Sequence, residues 1–170
     1  KVNQPGAAVT SADLATFHAR VSAVAAPGDV WVLTGSLAPG LPVDFYAELA
    51  RMLHNAGAQV VLDTSGAALR AGMAGRPEFV KPNTVEATEY LGAPVHDVAE
   101  AAVAAKAFQA GGAGHVVLSM GKDGAIAADV GEAEGGQASR ASRGRRGDGE
   151  GDVARGAAAL VIGHVEGEGR

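Results

Sequence analysis

Three times between Ser11 and Ser119 the sequence passes from a helix-spaced stretch into a short, apolar, β-branched one. This alternation constrains the chain more than any other feature, because strands separated by crossover helices pair in parallel and need a layer of helices to cover them. In the first unit Leu14, Phe17, Val21 and Val24 recur at helical spacing, with Ser11 as the expected N-cap and Asp13 in the first turn. Gly28-Asp29 breaks that pattern, and Val30 to Thr34 has the length and content of a buried strand. In the second, Asp44 is placed to cap a helix carrying Phe45, Leu49 and Leu53; Gly57 ends it, and Gln59 to Asp63 reads as the next buried strand. A shorter unit follows, in which Phe79-Val80 leads through Lys81-Pro82-Asn83 into a helix from Thr84 to Leu91. Asp97 then opens a helix running through Phe108 to Ala110, Val116 to Ser119 forms a strand, and Gly124 to Ala128 folds back beside it. The predicted class is α/β, a parallel sheet with helices on both faces.

In such sheets ligands sit outside the carboxyl ends of the strands, and polar residues gather there in this sequence: Gly35-Ser36, Asp63 to Gly66, Lys81 to Asn83 and Ser119 to Gly121. Each group has an ordinary reading beside a functional one. Gly35 to Gly40 is a turn-rich loop, or an open backbone with the Ser36 hydroxyl ready for a sugar hydroxyl or phosphate. Asn83 and Glu86, three apart at a helix start, form a capping box, or a carboxamide and carboxylate able to hold a hydrated Mg²⁺ against a nucleotide. Lys81 meets a phosphate or is simply solvated. Ser119-Met120-Gly121-Lys122-Asp123-Gly124 is a hairpin turn, or a pair of glycines letting the backbone approach a base or phosphate closely. His18, His54, His96, His115 and His164 show no metal-ligand spacing, and no nucleophile triad is visible.

Composition removes other classes. Net charge is −5, with no Lys/Arg run before Gly131, so no basic field exists for nucleic acid. The chain lacks cysteine, which excludes thiolate chemistry and disulfides and is compatible with the cytoplasm. No apolar run approaches the roughly 18 residues of a membrane span. Lys1 to Gly6 shows neither an initiator methionine nor a signal-peptide core, so the sequence reads as part of a longer chain. All seven aromatic residues precede Gln109, whereas Gly131 to Arg170 holds eleven glycines and six arginines. Residues 1–130 are therefore read as one partial domain, and 131–170 as a Gly/Arg-rich tail, either naturally disordered or the product of a reading-frame change.

Taken in order, Lys1-Val2-Asn3-Gln4-Pro5-Gly6, Gly35-Ser36-Leu37-Ala38-Pro39-Gly40, Asp63-Thr64-Ser65-Gly66, Val80-Lys81-Pro82-Asn83 with Glu86, and Ser119 to Gly124 resemble the second half of the ribokinase-like (PfkB-type) carbohydrate kinases, closest to the 1-phosphofructokinases. The resemblance implies phosphoryl transfer from MgATP to fructose 1-phosphate, giving fructose 1,6-bisphosphate. Tagatose-6-phosphate kinase is the alternative within the family, and a non-catalytic nucleotide-binding module the alternative outside catalysis. It also implies that Lys81, Asn83, Ser119, Gly121 and Gly124 contact ATP, that Glu86 with Asn83 organises Mg²⁺, that Ser36 belongs to the sugar-phosphate side, and that the full-length enzyme is a homodimer. The family's Gly-Ala-Gly-Asp motif, which supplies the catalytic base, has no match; Asp148 and Asp152 lie among arginines and glycines and are not assigned that role. This polypeptide is accordingly expected to be inactive.

Overall fold

In a computed structural model of the chain, which describes residues 7–129, strands and helices alternate as the spacing predicts. The strands β1 (Val30–Thr34), β2 (Gln59–Asp63), β3 (Phe79–Val80), β4 (His115–Ser119) and β5 (Ala125–Ala128) lie side by side in chain order. The first four pair in parallel, and β5 returns antiparallel to β4. Helices α1 (Ser11–Val24), α2 (Phe45–Asn55), α3 (Gly66–Gly72), α4 (Thr84–Leu91) and α5 (Val98–Ala110) connect or flank them. The segment read as a Gly/Arg-rich tail lies outside the described residues.

Two caps differ from expectation. Thr10, not Ser11, is the N-cap of α1, because Thr10 and Asp13 form a reciprocal box in which Thr10 Oγ1 accepts the Asp13 N–H and the Asp13 carboxylate accepts the Thr10 N–H. Asp44 occupies the N-cap of α2, but its side chain makes no capping hydrogen bond and only its carbonyl accepts, from the Glu48 N–H. The strand-to-helix passage after Asp63 also contains α3, which the periodicity did not reveal: five residues between two glycines are too few to show a repeat.

The core lies on one side of the sheet. Leu33, Val60, Leu62, Val80, Val116, Leu118 and Ile126 share a face by register, and all are buried. Against it pack Leu49, Leu53, Leu69, Ala87, Ala101 and Phe108, with α2 and α3 resting on β2, and α5 on β4 and β5. Filling such a site with Phe108 or Leu53 contributes about 1.5–3 kcal/mol per side chain relative to exposure. Tyr90 stacks on Phe108 with ring centroids 4.1 Å apart, and Arg70 of α3 donates to the Glu89 and Tyr90 carbonyls near the end of α4, joining the two helices. The opposite face is a different surface. Val30 and Val32 of β1, read as a buried strand, are 59% and 47% exposed, Val117 of β4 is exposed, and Val61, Phe79 and His115 between them are half-buried. The second helical layer expected from the sequence is not found among the described residues.

Candidate active site

Four parallel strands bring four loops to one edge of the sheet. Their backbones are tied directly: the Gly35 N–H donates to the Asp63 carbonyl at 3.1 Å, the Lys81 N–H to the Leu62 carbonyl at 3.3 Å, and the Ser119 N–H to the Pro82 carbonyl at 2.9 Å. A parallel bridge between Asn83 and Ser119 continues the ladder beyond β3 and β4. Residues scattered between positions 35 and 124 therefore form one row. Within it Lys81 Nζ lies 3.4 Å from Asp63 Oδ2, both groups at strand ends and both reached by solvent. A half-exposed pair of this kind contributes little to stability and leaves an ammonium available to an incoming phosphate.

Asn83 and Glu86 are seen in the capping arrangement. Asn83 Oδ1 accepts the Glu86 N–H and Glu86 Oε2 accepts the Asn83 N–H, each at 2.9 Å, at the start of α4. The box uses one oxygen of each side chain, so the Asn83 amide nitrogen and Glu86 Oε1 have no partner among the described residues. Capping and ligand contact are therefore compatible here. Among the described residues no three His, Asp or Glu side chains are grouped as a metal cage.

At the end of β4 the chain makes a single 3-10 turn, Gly121–Asp123, closed by the Met120 N–H donating to the Gly124 carbonyl at 2.7 Å. Gly124 adopts φ 96° and ψ −145°, a conformation essentially reserved for glycine, so this residue is required by the turn itself. Beside the turn, Met120, Lys122 and Asp123 face His96, Asp97 and Val98 at the start of α5 across an open cleft of about 480 Å³. Sequence reasoning placed Ser119, Gly121 and Gly124 near this edge but did not single out the α5 start.

Ser36 is exposed at the end of β1, and behind it the structure adds Tyr46, which sequence reasoning did not select, and Thr64, which lay in the Asp63 to Gly66 motif without an assigned role. Thr64 Oγ1 donates to the Gly35 carbonyl at 2.7 Å, and the Tyr46 hydroxyl lies 3.0 Å from both the Gly35 and Thr34 carbonyls. Both side chains are buried, Thr64 at 6% and Tyr46 at 7% exposure, and burial raises the Tyr46 phenol above its usual 10.0, keeping it a neutral donor. The available signal was a hydroxyl in the apolar register of α2, where Tyr46 sits between Phe45 and Ala47, both buried.

The profile of the pfkB family carbohydrate kinase matches residues 2–144. The chain belongs to the pfkB family. A 1-phosphofructokinase of Rhodobacter capsulatus is 42% identical over 126 residues, covering 74% of this chain and 40% of the relative. That of Haemophilus influenzae is 39% identical over 98 residues, 58% of this chain and 31% of the relative. Among solved structures, phosphofructokinase-2 from Escherichia coli in complex with fructose-6-phosphate superposes with a TM-score of 0.70 at 29% identity, covering 76% of this chain and 43% of that one. The chain thus spans less than half the length of these pfkB family relatives.

Proposed function

We propose that this chain carries the nucleotide side and part of the sugar-phosphate side of an ATP-dependent sugar-phosphate kinase acting in the cytoplasm, which converts fructose 1-phosphate to fructose 1,6-bisphosphate. The observation that carries the reading is the row at the sheet edge: Ser36, Lys81, Asn83 with Glu86, and Ser119 to Gly124 occupy the carboxyl ends of successive strands, the position where α/β sheets bind ligands. The names of the Rhodobacter and Haemophilus relatives support fructose 1-phosphate; tagatose 6-phosphate is the alternative acceptor.

In this reaction the γ-phosphoryl group passes from ATP to a sugar hydroxyl, whose proton goes to a base, and the protein's contribution is mainly positioning and charge neutralisation. Lys81 meets the phosphates as a point charge, while Ser119, Gly121 and Gly124 present an unobstructed backbone to the nucleotide. Glu86 Oε1 and the Asn83 carboxamide suit a hydrated Mg²⁺, which takes hard oxygen donors and retains its waters. When bound, Mg²⁺ supplies charge neutralisation on the phosphates. No residue of this sequence is assigned as the base, since it holds no Gly-Ala-Gly-Asp. That absence favours, for the 170-residue polypeptide, binding without turnover.

Calorimetry with MgATP and with fructose 1-phosphate, run beside a coupled assay for ADP release, tests the reading. The expected result is saturable binding of both with no turnover. Absence of MgATP binding overturns the nucleotide assignment, and turnover at an ordinary kinase rate overturns the claim that the base is missing.

A further inference from the structure

The two buried hydroxyls behind the Gly35 carbonyl have no role in the row of exposed residues described above, yet they converge on one backbone oxygen. Thr64 Oγ1 reaches it at 2.7 Å from the end of β2 and the Tyr46 hydroxyl at 3.0 Å from α2. The phenol carries one proton, which the Thr34 carbonyl shares at the same 3.0 Å, so Thr64 is the full donor and Tyr46 a shared one; together they restrict the Gly35 peptide plane from the buried, helix-covered side of the sheet. Across a trans peptide the carbonyl oxygen and the following N–H point in opposite directions, and no described peptide is cis. Holding the Gly35 carbonyl toward the helices therefore turns the Ser36 N–H away from them, where it finds no acceptor among the described residues. The Ser36 side chain, whose hydroxyl branches from the adjoining Cα through Cβ, is exposed.

We propose that Thr64 and Tyr46 are positioning residues that hold the Gly35–Ser36 peptide so that the Ser36 N–H and hydroxyl donate together to the phosphate monoester of the sugar-phosphate substrate. The inference rests on the assignment of Ser36 to the sugar-phosphate side. A preset N–H and a hydroxyl on the same residue match two oxygens of a phosphate, and presetting the peptide removes part of the ordering cost that a free loop would meet on binding. Thr64 and Tyr46 act through the peptide and do not touch the ligand.

The test uses the 170-residue chain and its variants Thr64→Val, Thr64→Ser and Tyr46→Phe, with fructose 1-phosphate and MgATP as separate titrants. Thr64→Val and Tyr46→Phe are each expected to weaken fructose 1-phosphate about ten-fold, the scale set by depriving a buried acceptor of one donor. MgATP affinity stays at the parent value, and Thr64→Ser, which keeps the hydroxyl, stays close to the parent throughout. In parallel, ¹⁵N relaxation of the unliganded chain should show the Gly35 and Ser36 amides more mobile in Thr64→Val and Tyr46→Phe only. Unchanged affinity and unchanged mobility in both variants overturn the proposal, as does a loss in Thr64→Ser equal to that in Thr64→Val, which would mark the effect as packing. If the parent binds no fructose 1-phosphate, the substrate assignment fails by itself, and the amide mobilities still decide the positioning claim. Should Thr64→Val fail to fold, Tyr46→Phe alone decides it.

Discussion

On the proposed reading, single side chains carry two duties at once. Asn83 Oδ1 caps α4, and its amide nitrogen, which has no partner among the described residues, is the group proposed to meet the nucleotide, so alanine there removes both. Asn83→Ala is expected to cost about 1 kcal/mol of stability, whereas Asn83→Ser retains a capping oxygen and should melt close to the parent. Both are expected to weaken MgATP, and calorimetry on Asn83→Ser, where the fold is preserved, isolates the ligand contact. Asp13 shows the electrostatic side of the same motif. The Thr10 hydroxyl, and then the Thr10 backbone N–H, hold its carboxyl below the usual 3.8. A lowered folded value means that the carboxylate supports the fold above its unfolded value and that this support disappears as pH falls through the folded one. The Tm difference between the parent and Thr10→Val should therefore be steady above about pH 5 and narrow as acid protonates Asp13, down to the part carried by the pH-independent Thr10 Oγ1 cap. Caps were partly legible in the sequence. Asn83 with Glu86 and Asp97 were placed correctly, while Ser11 and Asp44 were given roles that Thr10 takes or that no side chain performs, since a capping residue type one position off gives the same local signal.

Helices of eight residues or more, and five-residue strands with an apolar centre, were legible because each has enough positions to show its pattern. β1, β2, α4 and α5 coincide with the spans read from the sequence, and β4 adds only His115. α3 was not legible, and neither was the clamp from Thr64 and Tyr46, since no local pattern reports that residues at 46 and 64 meet at 35. The β4–β5 hairpin is the element whose geometry hangs on one residue. Gly124→Ala places a Cβ in a conformation that costs on the order of 1–3 kcal/mol, without a steric clash to relieve, since nothing lies within 4 Å of that position. The expected result is a lower Tm together with faster amide exchange at Ile126 and Ala128, while β1 and β2 keep their protection. Uniform loss of protection along the sheet would show that the hairpin is not a separable unit.

At the scale of the molecule, the four strand ends form a shared edge because the crossovers all run the same way, and this was legible from the alternation alone. What the alternation could not show is that the described helices cover only one face. Val30, Val32 and Val117 together with Phe79 leave an apolar surface in contact with water, next to a β1 edge whose outer side pairs with no described strand. Surfaces of this kind associate. Light scattering should find the chain growing in mass with concentration, and Val30→Lys with Val32→Lys should shift that growth to higher concentration while leaving the folded helix content unchanged. Mass independent of concentration in the parent would show the face to be inert.

A face that the described helices leave uncovered also bears on how long such a polypeptide persists in a cell. Chaperones and proteases sample exposed valines and unpaired strand edges, and they remove chains in proportion to how often those features are found. A protein that covers Val30 and Val32 would therefore raise the abundance of this chain without altering a single contact at the sheet edge, in addition to any stabilisation from bound ligands.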